Sequence, residues 1–166
     1  MIKKSHIEKT LNELDVLYND PECKNITVYF SKLAIIEFCG WIEDSVDDLA
    51  LQYAKNNLQD KTKIKYYENR IKKIHSFEYY DNIRPLLIML VGLRRFENIE
   101  KKLNKNGDIS KFIASLNSLI ENRNKAAHKH TNNVIINFDA PSKILSDWRV
   151  VYDILKKIER EIKVSR

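Results

Sequence analysis

Residues 26–58 read ITVYFSKLAIIEFCGWIEDSVDDLALQYAKNNL and contain the longest helical pattern of the chain. Apolar side chains recur there every three or four residues, which places them on one face of a helix. This apolar set comprises Phe30, Leu33, Ile35, Ile36, Cys39, Ile42, Val46, Leu49, Tyr53 and Leu58. The pattern predicts one long central helix, with a kink near Gly40.

The same helical spacing recurs on both sides of this central helix. It predicts further helices over about 7–18, 64–74, 86–103, 112–127 and 144–162, and a short extended segment at 134–136. The 166 residues include only 3 Gly and 3 Pro, too few for the turns of a many-stranded fold. We therefore expect an all-α fold of about five to six helices with at most one short extended segment, forming a single domain over 1–166.

Charge and cysteine content narrow the classes of function. The chain carries a net charge of +6, which favours polyanionic partners, although AT-rich codons also produce Lys-rich chains. Cys23 and Cys39 have no metal-ligand spacing around them, so we expect no metal and no cofactor, and Cys39 fits a buried, inert thiol. No apolar leader or stretch of membrane-spanning length is present, so we expect a cytoplasmic protein with no membrane partner.

The segment ENRNKAAHKH at residues 121–130 closes a predicted helix and contains the most informative polar side chains. Arg123 follows the apolar stripe at helical spacing, so it borders the buried face, where an unpaired guanidinium is costly. Asn124 and His128 are four residues apart, so the amide can hold an imidazole nitrogen on the same helix face. Arg123 and His128 lie about 140° apart around an ideal helix, so one helix does not easily close a site alone.

Arg123, Asn124 and His128 resemble the Arg-(four to six residues)-His motif of the HEPN superfamily, in which a polar residue follows the arginine. Residues 29–43 and 138–149 look similar to stand-alone HEPN proteins of prokaryotic defence and toxin-antitoxin loci, the RiboL-PSP-HEPN group. The resemblance covers most of the chain, with weaker similarity in the middle. It implies an antiparallel helical bundle, a homodimer with both motif helices at the interface, and endoribonuclease activity without metal.

The chemistry of RNA cleavage agrees with what this resemblance implies. RNA supplies its own nucleophile, the 2′-hydroxyl, so the protein needs a proton acceptor, a proton donor and a positive charge for the phosphorane. His128 fits both proton roles because the reference pKa of histidine lies near neutral pH, and Arg123 fits the third as a bidentate phosphate ligand. Asn124 would orient the imidazole.

Five other side chains are candidates for supporting roles. Lys125, Lys129 and His130 are positioned to bind RNA phosphates, although an exposed lysine beside a turn is usually only solvated. Glu37 and Glu43 on the long helix are expected to reach the site or to pair with Arg123, and a surface position is equally consistent with Glu43.

Other interpretations remain open at this stage. Arg123 could form a helix-end ion pair with Glu121 or with a carboxylate of the long helix, and His128 could cap its helix. A catalytically silent module that binds RNA, nucleotide or a partner protein is the main alternative, and a purely structural helical dimer is the third. An antitoxin or defence-system partner protein is also expected from the resemblance.

Some HEPN toxins have a tyrosine two residues after the motif histidine, and a partner nucleotidyltransferase modifies that tyrosine. His130 occupies the corresponding position here, so we do not expect this protein to be neutralised by that route.

Overall fold

The computed structural model describes residues 2–128 and 138–164, and within them it contains helices and connecting turns but no strand. Its seven α-helices, listed in chain order, are α1 (Ser5–Tyr18), α2 (Thr27–Asn57), α3 (Lys61–Ile71), α4 (Arg84–Val91), α5 (Leu93–Asn104), α6 (Asp108–His128) and α7 (Pro141–Val164). A 3₁₀ turn, Pro21–Ile26, precedes α2, and a π-helical turn, Tyr79–Ile83, precedes α4. The predicted all-α fold is confirmed, while the predicted extended segment at 134–136 lies outside the described residues.

Helix α2 is the central element of the bundle. Its 31 residues extend for about 46 Å, and they contact α1, α3, α4, α6 and α7. Residues Ala34, Ile35 and Ile42 on its inner face are completely buried. The helix continues through Gly40 without interruption. The long apolar stripe of the sequence therefore becomes the surface on which most of the other helices pack, except at Leu33 and Ile36, which belong to the predicted stripe but remain exposed.

The predicted helix over 86–103 is divided into α4 and α5 at Gly92. This glycine has φ +85° and ψ 150°, a backbone conformation that residues with a Cβ rarely adopt. Apolar spacing continues on both sides, since Leu87, Phe96 and Ile99 are all buried. Periodicity alone therefore could not locate the break, which accounts for seven helices where about five to six were expected.

A partly buried carboxylate joins the π-helical turn and α4 to α5. Glu100 accepts hydrogen bonds from the Tyr79 hydroxyl at 2.6 Å and from Arg84 Nε at 2.8 Å and Nη2 at 3.1 Å. A second ion pair joins α6 to α7, because Lys157 Nζ lies 2.8 Å from the buried Asp108 carboxylate. The second pair ties the start of α6, the helix that ends in the polar motif, to α7.

Candidate functional site

The motif occupies the last two turns of α6, where the helix leaves the core. Ala126 is buried and Arg123 is partly buried, whereas Asn124 and His128 are exposed. Burial of Ala126 anchors this end of α6, and the polar residues around it point towards the surface. The segment therefore combines one sheltered cation with an accessible imidazole.

Arg123 is held between α2 and the segment that follows α3. Its Nη1 donates to Glu43 Oε1 at 3.2 Å, and its guanidinium carbon lies 5.3 Å from the centroid of the Phe77 ring. The Arg123 side chain retains 27% exposure, so its remaining donors are accessible to a ligand. The expected pairing of Glu43 with Arg123 is present, and Phe77, which the sequence analysis did not single out, completes the arrangement.

Among the described residues, the other motif residues form no side-chain hydrogen bonds with one another. No hydrogen bond joins Asn124 to His128 among the described residues, and Arg123 bonds to Glu43 rather than to either of them. Both Asn124 and His128 are exposed at the end of α6. The orienting role of Asn124 therefore stays a prediction.

The remaining candidates occupy different environments. Lys125 is exposed beside the motif, and Glu37 is exposed on α2 without an ion pair to a described residue. Lys129 and His130 lie outside the described residues, so their predicted contacts with RNA have no structural description. Of the two acidic candidates, only Glu43 contacts the motif.

Three further carboxylates closely follow the Arg123 partner Glu43 on α2. Glu43, Asp44, Asp47 and Asp48 lie within six consecutive residues. Burial raises the pKa of Asp47 to about 6, and repulsion from Asp44, Glu43 and Asp48 acts in the same direction. The helical spacing of Glu43 and Asp47 places them on one face, a signal that the sequence analysis did not use.

Cys39 lies one turn before Glu43 on the inner side of α2. Burial raises the pKa of its thiol to about 12, although the positive charge of Arg123 acts in the opposite direction. A thiol with this pKa is almost entirely protonated at neutral pH and is a poor nucleophile. The prediction that Cys39 is buried is confirmed, and its inertness stays a prediction that this environment supports.

An apolar stripe lies on the exposed side of α2. Tyr29, Leu33 and Ile36 remain 53%, 45% and 42% exposed, and Gly40 continues the stripe at helical spacing. One further turn leads to Glu43 and the guanidinium of Arg123. We call Tyr29, Leu33, Ile36 and Gly40 the α2 stripe, and this stripe adjoins the candidate site. Exposed apolar patches often mark surfaces that bind other macromolecules.

The recess beside Arg123 is too small for a substrate. Glu43, Asp47, Phe77 and Asn82 contribute to the lining of a cavity of about 10 Å³, which is the space of about one water molecule. Within 2–128 and 138–164, no group of three or more side chains is arranged to hold a metal ion. None of the described helices has the length and apolar character needed to cross a bilayer. A substrate bound at Arg123 would therefore lie outside this recess, on the surface formed by the described residues.

Together, the fold and the site define a helical bundle with a partly sheltered arginine and an exposed histidine at the end of one helix. Comparisons with protein-family models, with curated proteins and with solved structures found no match to this chain.

Proposed function

We propose that this protein is a metal-independent endoribonuclease of the HEPN type, belonging to a defence or toxin-antitoxin system and acting as a homodimer. The observation that carries the proposal is the arrangement on α6: Arg123 is fixed by Glu43 and Phe77 with donors still exposed, while His128 is accessible five residues later. This provides a stationary positive charge and an accessible acid-base group, the two elements that RNA transesterification needs from a protein.

The proposed reaction uses the 2′-hydroxyl of the RNA as the nucleophile. His128 of one subunit accepts the hydroxyl proton as the 2′-oxygen attacks phosphorus. The bond from phosphorus to the 5′-oxygen breaks, and the partner's His128 donates a proton to that leaving oxygen. Arg123 binds the phosphorane oxygens, where negative charge accumulates. The products are a 2′,3′-cyclic phosphate and a free 5′-hydroxyl.

Two features support the homodimer. Arg123 and His128 lie about 140° apart around α6, so a second copy is the simplest source of the missing group. The α2 stripe supplies apolar surface that a second copy could cover, and it leads directly to Glu43 beside Arg123. A second chain there would also enclose the open surface at the site.

Cleavage is tested by incubating purified protein with a single-stranded oligonucleotide in EDTA and mapping the new ends. Replacement of His128 with alanine should reduce the rate by about 100-fold or more, since general acid-base groups contribute about 10² to 10⁴. Arg123→Gln should cost about the same through lost charge stabilisation. His6→Ala, an exposed histidine on α1, is the matched control and should retain the rate. A folded His128→Ala protein that still cleaves would refute the assigned role.

The dimer is tested separately by placing a charge in the α2 stripe. Leu33→Glu should convert the protein to a monomer in sedimentation velocity and should also abolish cleavage, because burying an unpaired carboxylate at an apolar interface is strongly unfavourable. Val16→Glu on α1 is the control, since Val16 is 72% exposed and lies outside the stripe. A dimer that persists in Leu33→Glu would place the interface elsewhere.

A silent binding module is the second candidate, and one observation favours it. Arg123 is already paired with Glu43, and the neighbouring carboxylates of α2 repel a phosphate that approaches the guanidinium. In that case the protein would bind RNA, nucleotide or a partner protein such as an antitoxin without cutting. The EDTA assay separates the two functions, because a silent module retains RNA and produces no cyclic-phosphate ends.

A further inference from the structure

Most of the net charge of the chain is concentrated in one short segment. Residues 61–73, which comprise α3 and the turn after it, contain six cationic side chains against one carboxylate, Glu68. This segment therefore contributes +5 to a chain whose total is +6. The six cations, all of them exposed, are Lys61, Lys63, Lys65, Arg70, Lys72 and Lys73.

Among the described residues, these charges are largely unpaired, although the Asp60 carboxylate just before α3 interacts electrostatically with Lys63. None of the six forms an ion pair with a described residue, and Glu68 pairs instead with Lys55 of α2 at 3.7 Å. Two basic side chains of α5 differ, because Lys101 pairs with Glu97 and Lys102 with Glu161. The positive field of α3 is thus available to an external polyanion.

An exposed aromatic ring lies in the middle of this basic helix. Tyr66 is 58% exposed, and its helical neighbours three residues before and four residues after are Lys63 and Arg70. The adjacent Tyr67 serves the fold, since it is partly buried and its hydroxyl donates to the Met89 carbonyl at 3.1 Å. Ile71 anchors the opposite side of the helix in the core. We call Tyr66 and the six cations the α3 surface.

We propose that the α3 surface binds single-stranded RNA, with a base stacked on Tyr66 and the phosphates bound by the surrounding lysines and Arg70. An aromatic ring between cations matches the way in which proteins hold single strands, where any unpaired base can stack and the backbone follows a positive path. A duplex conceals its base faces, so Tyr66 would contribute nothing to binding it. The choice of RNA over DNA rests on the proposed function.

The α3 surface is close to the motif along the chain. Lys73, its last cation, is four residues before Phe77, whose ring contacts the Arg123 guanidinium. Four residues extend for at most about 14 Å. A strand bound on α3 would therefore pass near Arg123, whose own surroundings on α2 are acidic. The α3 surface would supply the affinity that the acidic site cannot.

The experiment measures binding of a fluorescent 12-nucleotide oligouridylate by the full chain carrying His128→Ala, so that the RNA stays intact. The test variant neutralises four cations of the α3 surface: Lys63→Gln, Lys65→Gln, Arg70→Gln and Lys72→Gln. The control variant removes the same charge from exposed positions on α5, the turn after it and α6: Arg94→Gln, Lys101→Gln, Lys105→Gln and Lys111→Gln. Circular dichroism verifies that each variant is folded.

Affinity for RNA falls as salt rises, so the plot of log affinity against log salt has a negative slope. The test variant loses four phosphate contacts and should have a slope about 3 smaller in magnitude, because each contact to a single strand contributes about 0.7. The control variant should keep the slope of the parent. Tyr66→Leu should weaken binding by about fivefold or more, while Tyr66→Phe keeps the stacking face and should bind as the parent does.

Equal losses in the test and control variants would overturn the proposal, because only net charge would then matter. Equally tight binding of a duplex, or binding to anionic vesicles instead of RNA, would also overturn it. The outcome is separable from the proposed function. For cutting, the same four substitutions are made in the chain that keeps His128. A protein that binds through α3 but does not cut with His128 present supports this surface and refutes the ribonuclease, whereas unchanged binding and unchanged cutting after the four substitutions do the reverse.

Discussion

Replacement of Asp47 with asparagine should stabilise the protein at neutral pH. Asp47 is half-buried on α2, and burial together with repulsion from Asp44, Glu43 and Asp48 raises the pKa of its carboxyl to about 6. The folded state therefore resists ionisation of this side chain. Asparagine preserves the shape of the side chain and cannot ionise, so it removes the unfavourable charge.

The sign and size of this effect follow from linkage. The folded carboxyl, with a pKa near 6 against an ordinary value of 3.8, binds a proton more tightly than the unfolded one, so stability decreases as pH rises from about 4 to 6. This difference between the folded and the unfolded pKa corresponds to a loss of at most about 3 kcal/mol in the free energy of unfolding. Solvent around this half-buried group screens the effect, and about 1 kcal/mol is the expected gain.

The assay is urea denaturation of the wild type and of Asp47→Asn at a series of pH values from 4 to 8. The two proteins should have similar free energies of unfolding near pH 4 and should diverge by about 1 kcal/mol by pH 7, which corresponds to about 2 to 4 °C in Tm. Asp153→Asn, an exposed position on α7, is the control and should show no such divergence. Asp44→Asn should lower the pKa of Asp47 in an NMR titration, because a repulsive charge is removed. A constant difference between wild type and Asp47→Asn across the pH range would refute the reasoning.

Two further predictions concern the fold. Glu100→Gln should lower the free energy of unfolding by about 2 kcal/mol at pH 7, since it weakens charge-assisted bonds from Arg84 and Tyr79. Burial raises the pKa of Glu100, but these bonds outweigh burial and hold the pKa below its ordinary value. The difference in stability between wild type and Glu100→Gln should therefore shrink as pH falls below about 4 in a series of denaturation measurements. Gly92→Ala should destabilise by about 1 kcal/mol or more because φ is +85°, whereas Gly40→Ala, in a regular helix with no atom within 4 Å of the added Cβ, should stabilise by up to about 1 kcal/mol. Thermal melts of the two glycine variants should therefore shift in opposite directions, and a shift of the same sign would contradict the argument.

Some parts of the candidate site could be predicted from spacing along the chain. Arg123 borders the apolar stripe of its helix, and its need for a carboxylate partner followed from that position alone. Glu43 was one of the carboxylates expected to meet that need, and it forms the bond. Phe77 could not be predicted, because it lies in an irregular segment, and nothing in a linear pattern indicates which residue such a segment brings against a helix.

The sequence by itself determined that the chain is helical, where its apolar stripes run and where the basic residues of α3 lie, because periodicity and charge are local properties of a chain. Only the tertiary structure decided that the helix over 86–103 breaks at Gly92, that Arg123 lies between Glu43 and Phe77, and that Tyr29, Leu33 and Ile36 stay exposed on a helix whose other side is buried. The reason is physical: contacts between residues far apart in sequence depend on how whole helices pack, and packing selects among apolar faces that the pattern leaves equivalent.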